Sequence, residues 1–182
     1  MDKLKKHSIT IRSLCIALIL LFVLAGCGND SVDQQNDDID TGTFLIKYLN
    51  TPSFGDTNEL FTTETTIDVE KNTVHVRHLK IYDKEGQAYD PGKEPVLWEK
   101  SADISDSDSV KDMLALINSE KYSKLPERLE TEIMDGDYNY ISVESKDGIS
   151  SKKGGLGAAY DGPEIFVDAC AIIKNIAKEA GL

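Results

Sequence analysis

Positive charge is scarce in this chain. Twenty lysines and arginines stand against thirty-two acids, a formal charge of −12 over 182 residues. Such a surface repels phosphate backbones and anionic lipid heads, which argues against nucleic acid as a partner and against the folded part lying on a membrane. Histidine is scarce as well, and only His75 and His78 lie beyond the amino-terminal segment. There is no Gly-x-Ser-x-Gly, so no pattern nominates a nucleophile. Carboxylates are too many for one glycosidase-like pair to be picked out. Nor is there a long apolar run. The longest, Leu14–Ala25, has twelve residues, whereas a membrane-spanning helix needs about 20.

What is present begins with that short run. Lys3, Lys5, Lys6 and Arg12 precede it against the single acid Asp2, the layout of a secretory signal. It ends in Leu24-Ala25-Gly26-Cys27, which resembles the lipobox of bacterial lipoproteins. The resemblance covers about the first 27 residues. It implies that the Cys27 sulfur receives a diacylglycerol, that residues 1–26 are removed, and that Cys27 becomes the first mature residue. Two or more acyl chains of the palmitate type hold a protein stably at a bilayer, where one does not. The expected location is therefore the extracytoplasmic side of the cell membrane, with the membrane as a partner through the lipid alone.

Several consequences follow from that resemblance. Cys15 leaves with the signal and Cys27 is acylated, so Cys170 has no partner for an intramolecular disulfide and the fold relies on its core. The remainder is three charges more negative than the whole chain. Residues 28–42, GNDSVDQQNDDIDTG, carry five aspartates and no base. They cannot bury enough apolar surface to order themselves and read, with Cys27, as an acidic flexible stalk spanning on the order of 20 Å. Residues 43–182 remain for one domain.

Within that domain TFLIKYL (43–49) reads as a strand, and TTIDVEKNTVHVRHLKIYD as a hairpin turning near Lys71-Asn72. The apolar phase slips between Val76 and Leu79, which requires a bulge or an exchange of faces. PVLWEK (95–100) is a further strand. YNYISVESKDGISSK is a hairpin turning at Asp147-Gly148. Val110, Met113, Leu114 and Ile117 mark one helix. Ile165, Phe166, Ala169, Ile172, Ile173 and Ile176 mark another, with Pro163 at its first position and Gly181 beyond its end. The expected fold class is α+β, an antiparallel sheet of about five to seven strands with two helices packed on one face. The order of elements over residues 110–180, including Lys124-Leu125-Pro126 and DGDYNY, resembles a layout of small secreted proteins and implies no activity.

Four groups of residues could carry function. Tyr138 and Tyr140 share one strand face and look outward if Ile141 and Val143 face the helices; with Trp98 and Phe54 they form a candidate binding face. Asp106, Asp108 and Asp112 offer the oxygen ligands Ca²⁺ favours. Counting from Asp106, however, the glycine and glutamate of an EF-hand loop are replaced by Lys111 and Ile117. Lys152, Lys153, Gly154 and Gly155 suggest a glycine-rich loop that holds an anion ahead of a helix, although the lysines precede the glycines. His75 and His78 share a face only if a bulge separates them. The reading is a membrane-tethered, non-catalytic binding or interaction module for a protein or small ligand, without a cofactor. The alternatives are an extracytoplasmic hydrolase and a calcium-binding structural protein.

Overall fold

The computed structural model describes residues 42–182 apart from Asn58, Glu130 and Met134. The expected signal segment, the expected lipidation site Cys27 and the expected stalk up to residue 41 lie outside the described residues. The strands are β1 (Thr43–Thr51), β2 (Phe61–Asp68), β3 (Thr73–Lys80), β4 (Val96–Asp103), β5 (Tyr138–Ser145) and β6 (Ser150–Leu156). The helices are α1 (Asp108–Ile117), α2 (Glu120–Ser123), α3 (Ala158–Asp161) and α4 (Glu164–Glu179). The six strands form one antiparallel sheet in the order β4-β3-β2-β1-β5-β6. Among the described residues four helices stand where two were expected, because α2 and α3 are single turns of four residues, too short to show a helical period.

The turns form where the backbone needs them. Asn72 takes a positive φ of 52° after β2, and the Asp68 carboxylate accepts the Lys71 N–H at 3.0 Å. Gly148 turns the second hairpin with φ 80°. Pro163 caps α4 from outside its first turn, one position earlier than expected. Among the described residues no helix is long and apolar enough to cross a membrane.

Register decides the two faces of the sheet. Val74 lies opposite Ile67, Ile67 opposite Ile46, and Ile46 opposite Val143. One step along, Val76, Thr65, Tyr48 and Ile141 make a parallel row. The apolar side chains of these rows, with Val143 partly buried at their margin, share a buried cluster with Met113 and Ile117 of α1, Tyr122 of α2, and Phe166, Ala169, Ile173 and Ile176 of α4. The opposite face is polar. There Arg77 of β3 donates from Nε to Glu64 of β2 at 2.9 Å, with Lys47 of β1 at 3.5 Å from the same carboxylate. The phase slip after Val76 is an exchange of faces. β3 runs in unbroken register with β2, so Leu79 falls on the side opposite Val76. The bulge lies in β4, where Trp98 pairs with His78 but Val96 pairs with Leu79.

Candidate functional site

The two edges of the sheet differ. β4 is one edge. β6 is the other, and residues 127–129 run along it: the Leu129 N–H donates to the Gly154 carbonyl at 2.9 Å, and the Gly154 N–H to the Glu127 carbonyl at 3.0 Å. Arg128 and Gly154 form a parallel bridge. Alternation along this short segment sends neighbouring side chains to opposite sides. Leu129 joins the buried cluster, and Arg128 stays exposed beside the polar face.

Gly154 and Gly155 therefore sit in β6 and not in a loop ahead of a helix; only Gly157 lies at a helix start, that of the four-residue α3. A Cβ on Gly154 would lie 2.0 Å from the Asn139 carbonyl oxygen, and one on Gly155 would lie 2.4 Å from that of Leu129. They serve close backbone approach. Lys153 leaves the anion site as well. It is only 7% exposed, and its ammonium donates to the Ser123 carbonyl at 3.2 Å and to the Leu125 carbonyl. Its role is to satisfy the carbonyls that follow α2.

Lys152 faces the other way. Its Nζ stands 4.5 Å from the centre of the Tyr140 ring, a cation–π arrangement. Tyr140 pairs with Leu49 on one side and Gly154 on the other, and Tyr138 with Thr51 and Leu156. Both tyrosines occupy the polar face, while Ile141 is fully buried on the other. Tyr138 is 43% exposed. Together with Arg128, Thr131 and Ile133 these side chains line a groove of about 640 Å³. Glu127 contributes one carboxylate to the same groove.

A buried polar network fixes the start of β5, where Tyr138 sits. The Tyr48 hydroxyl donates to Asn139 Oδ1 at 2.6 Å, and Asn50 Nδ2 donates to the same oxygen at 3.0 Å. Asn50 also reaches the Asp137 carboxylate at 3.0 Å, and Asn139 Nδ2 donates to the Asp137 carbonyl at 2.9 Å. Burial raises the Tyr48 hydroxyl well above its ordinary range, so it acts as a fixed neutral donor. Cys170 lies against this network. Burial pushes its thiol up to about 12, against a smaller lowering by Lys174 and the Tyr48 hydrogen bond. A thiol so held is no nucleophile.

The other candidates are dispersed. Trp98 lies in β4, four strands from Tyr140 and so about 19 Å away, and register puts it on the opposite face. It leans on His78, with ring centres 5.0 Å apart, and His78 stacks on Phe61 at 4.3 Å. Phe54 is exposed in the β1–β2 connection. His75 lies on the polar face, 3.4 Å from the Glu99 carboxylate, so the two histidines point apart. Asp106, Asp108 and Asp112 are exposed around the start of α1, with Asp108 paired to Lys111 at 3.1 Å. Among the described residues no three His, Cys, Asp or Glu side chains converge. Asp108 alone lies in the first turn of α1, where an acid is favoured by the helix dipole.

Arg128 was missed in the sequence, since it belongs to a segment without periodicity. Gly154-Gly155 within a hairpin arm was the one available sign that another backbone passes close by. The chain matches no family model, no curated protein and no solved structure, so the site is read from its own geometry.

Proposed function

We propose that the protein is a lipid-tethered extracytoplasmic binding module. Its helices all cover one face of the sheet, and a ligand or partner docks at the groove on the other. The observation that carries this reading is the gathering of Tyr138, Tyr140, Lys152 and Arg128 around one concavity. Exposed tyrosine and arginine are the side chains that recognition surfaces favour. The lipobox resemblance at Cys27 and the aspartate-rich stalk support the tether. A tether brings the protein to a partner at the membrane without any need for catalysis.

Two measurements test the two parts. Cys27→Ala protein is expected to leave the membrane fraction and lose its lipid label; retention of both would defeat the tether. Chemical crosslinking of the tethered protein in its own cells is expected to give adducts that Tyr138→Ala/Arg128→Ala removes. Adducts unchanged by that pair of substitutions would place recognition elsewhere.

A further inference from the structure

Building on the groove reading above, we infer that the groove binds a small organic acid, with its carboxylate at Arg128 and Lys152 and an apolar or aromatic body against Tyr138, Ile133 and Leu156. The first argument is charge. Acids outnumber bases in this chain, and Lys47, Lys71, Arg77, Lys93, Lys111 and Lys124 each sit within ion-pair distance of one. Arg128 and Lys152 line a common groove, yet among the described residues neither has a carboxylate within 4.0 Å. Among the described residues lining the groove, the Glu127 carboxylate offsets one of the two charges and leaves one positive charge in excess on an acidic protein.

The second argument is shape. A guanidinium is permanently charged, and its planar fork matches a carboxylate with two parallel hydrogen bonds. The ammonium of Lys152 is already steered by the Tyr140 ring, so little freedom is lost when an anion arrives. About 640 Å³ falls within the roughly 300–1,000 Å³ of small-molecule sites. The acidic surface opposes approach of an anion, but that field is screened beyond about 8–10 Å in physiological salt. Contact inside the groove therefore decides affinity.

The test uses the full chain in neutral phospholipid vesicles, with protein-free vesicles subtracted. Binding of 3-(4-fluorophenyl)propionate, its amide and 4-fluorophenyl phosphate is followed by fluorine NMR. The acid is expected to bind saturably and at least tenfold more tightly than the amide. Arg128→Gln/Lys152→Gln should remove that preference, and Tyr138→Ala should weaken acid and amide alike. Both charged positions are exposed, so circular dichroism should stay unchanged. Equal binding of acid and amide, no saturable binding, or an undiminished preference in the double variant would overturn the inference. Tighter binding of the phosphate ester by tenfold would overturn its carboxylate assignment. Crosslinks in cells that depend on Tyr138 but are not competed by the acid would defeat the small-acid inference and leave the docking face standing. Loss of both would defeat the two together.

Discussion

The ring of Tyr140 lies across Gly154 on the neighbouring strand, so close that a Cβ at residue 154 would stand 2.8 Å from the ring's Cδ1. An aromatic side chain covering a strand glycine shields the backbone that the missing side chain exposes. It also leaves the space beyond the ring open as part of the groove.

Gly154→Ala follows directly. The residue has φ 149°, and the added carbon would lie 2.0 Å from the Asn139 carbonyl oxygen. β5 and β6 must then part locally, at a cost of about 3 kcal/mol or more. Gly148→Ala is the control. It too has a positive φ, but nothing lies within 4 Å of the new carbon, so only about 1–2 kcal/mol is lost. Urea midpoints should fall far more for residue 154; equal losses would contradict the close approach.

The Tyr48–Asn139 hydrogen bond, 91 positions apart in sequence and buried, predicts an asymmetry. Asn139→Ala takes the acceptor from Tyr48, one of two acceptors from Asn50 and a donor from the Asp137 carbonyl, and should cost about 2–4 kcal/mol. Tyr48→Phe leaves Asn139 Oδ1 still bonded by Asn50 and should cost about 1 kcal/mol. A double-mutant cycle should show coupling of about 1 kcal/mol. Additive losses would mean the bond contributes nothing.

Cys170 makes a pH prediction. Its thiol is pushed from the ordinary 9.0 up to about 12 in the fold, so with rising pH the unfolded chain gives up that proton first. Stability is whole below about pH 9 and is lost as pH climbs towards 12, by up to about 1.4 kcal/mol per pH unit. The raised Tyr48 and Tyr122 hydroxyls steepen the loss above pH 10. Cys170→Ala should flatten the slope between pH 9 and 10. A variant that runs parallel to the parent protein would refute the assignment. Thiol reagents at pH 8 should label residue 170 only after unfolding.

The elements that could be read from sequence are those that carry their own signal. Asn72 and Gly148 announce their turns. The stripe through Ile165, Phe166, Ala169, Ile172, Ile173 and Ile176 announces α4. The slip after Val76 was visible as a conflict of phase, and the fold resolves it by turning Leu79 to the other face. Tyr138 and Tyr140 were readable as a pair because alternation sets them opposite Ile141. What stayed hidden depends on long-range backbone pairing. The segment 127–129 is placed by its bonds to Gly154, which no side-chain pattern encodes. Alternation puts Asn139 on the buried side with Ile141, but the Tyr48 and Asn50 side chains that satisfy it come from β1, 91 and 89 positions away. The glycine-loop form of the anion reading gives way for the same reason, since Lys153 finds its partners in the carbonyls of Ser123 and Leu125 at the end of α2, while Lys152 stays on the exposed face.

The most direct test of the proposed docking face places a photo-reactive residue at position 138, 98 or 149 of the full chain in its own cells. All three side chains are exposed, but only 138 lines the groove. Irradiation should give a covalent adduct at 138, absent at 98 and 149 and lost when Arg128→Gln/Lys152→Gln is added. An adduct at 98 with none at 138 would contradict the account and move recognition to the β4 edge.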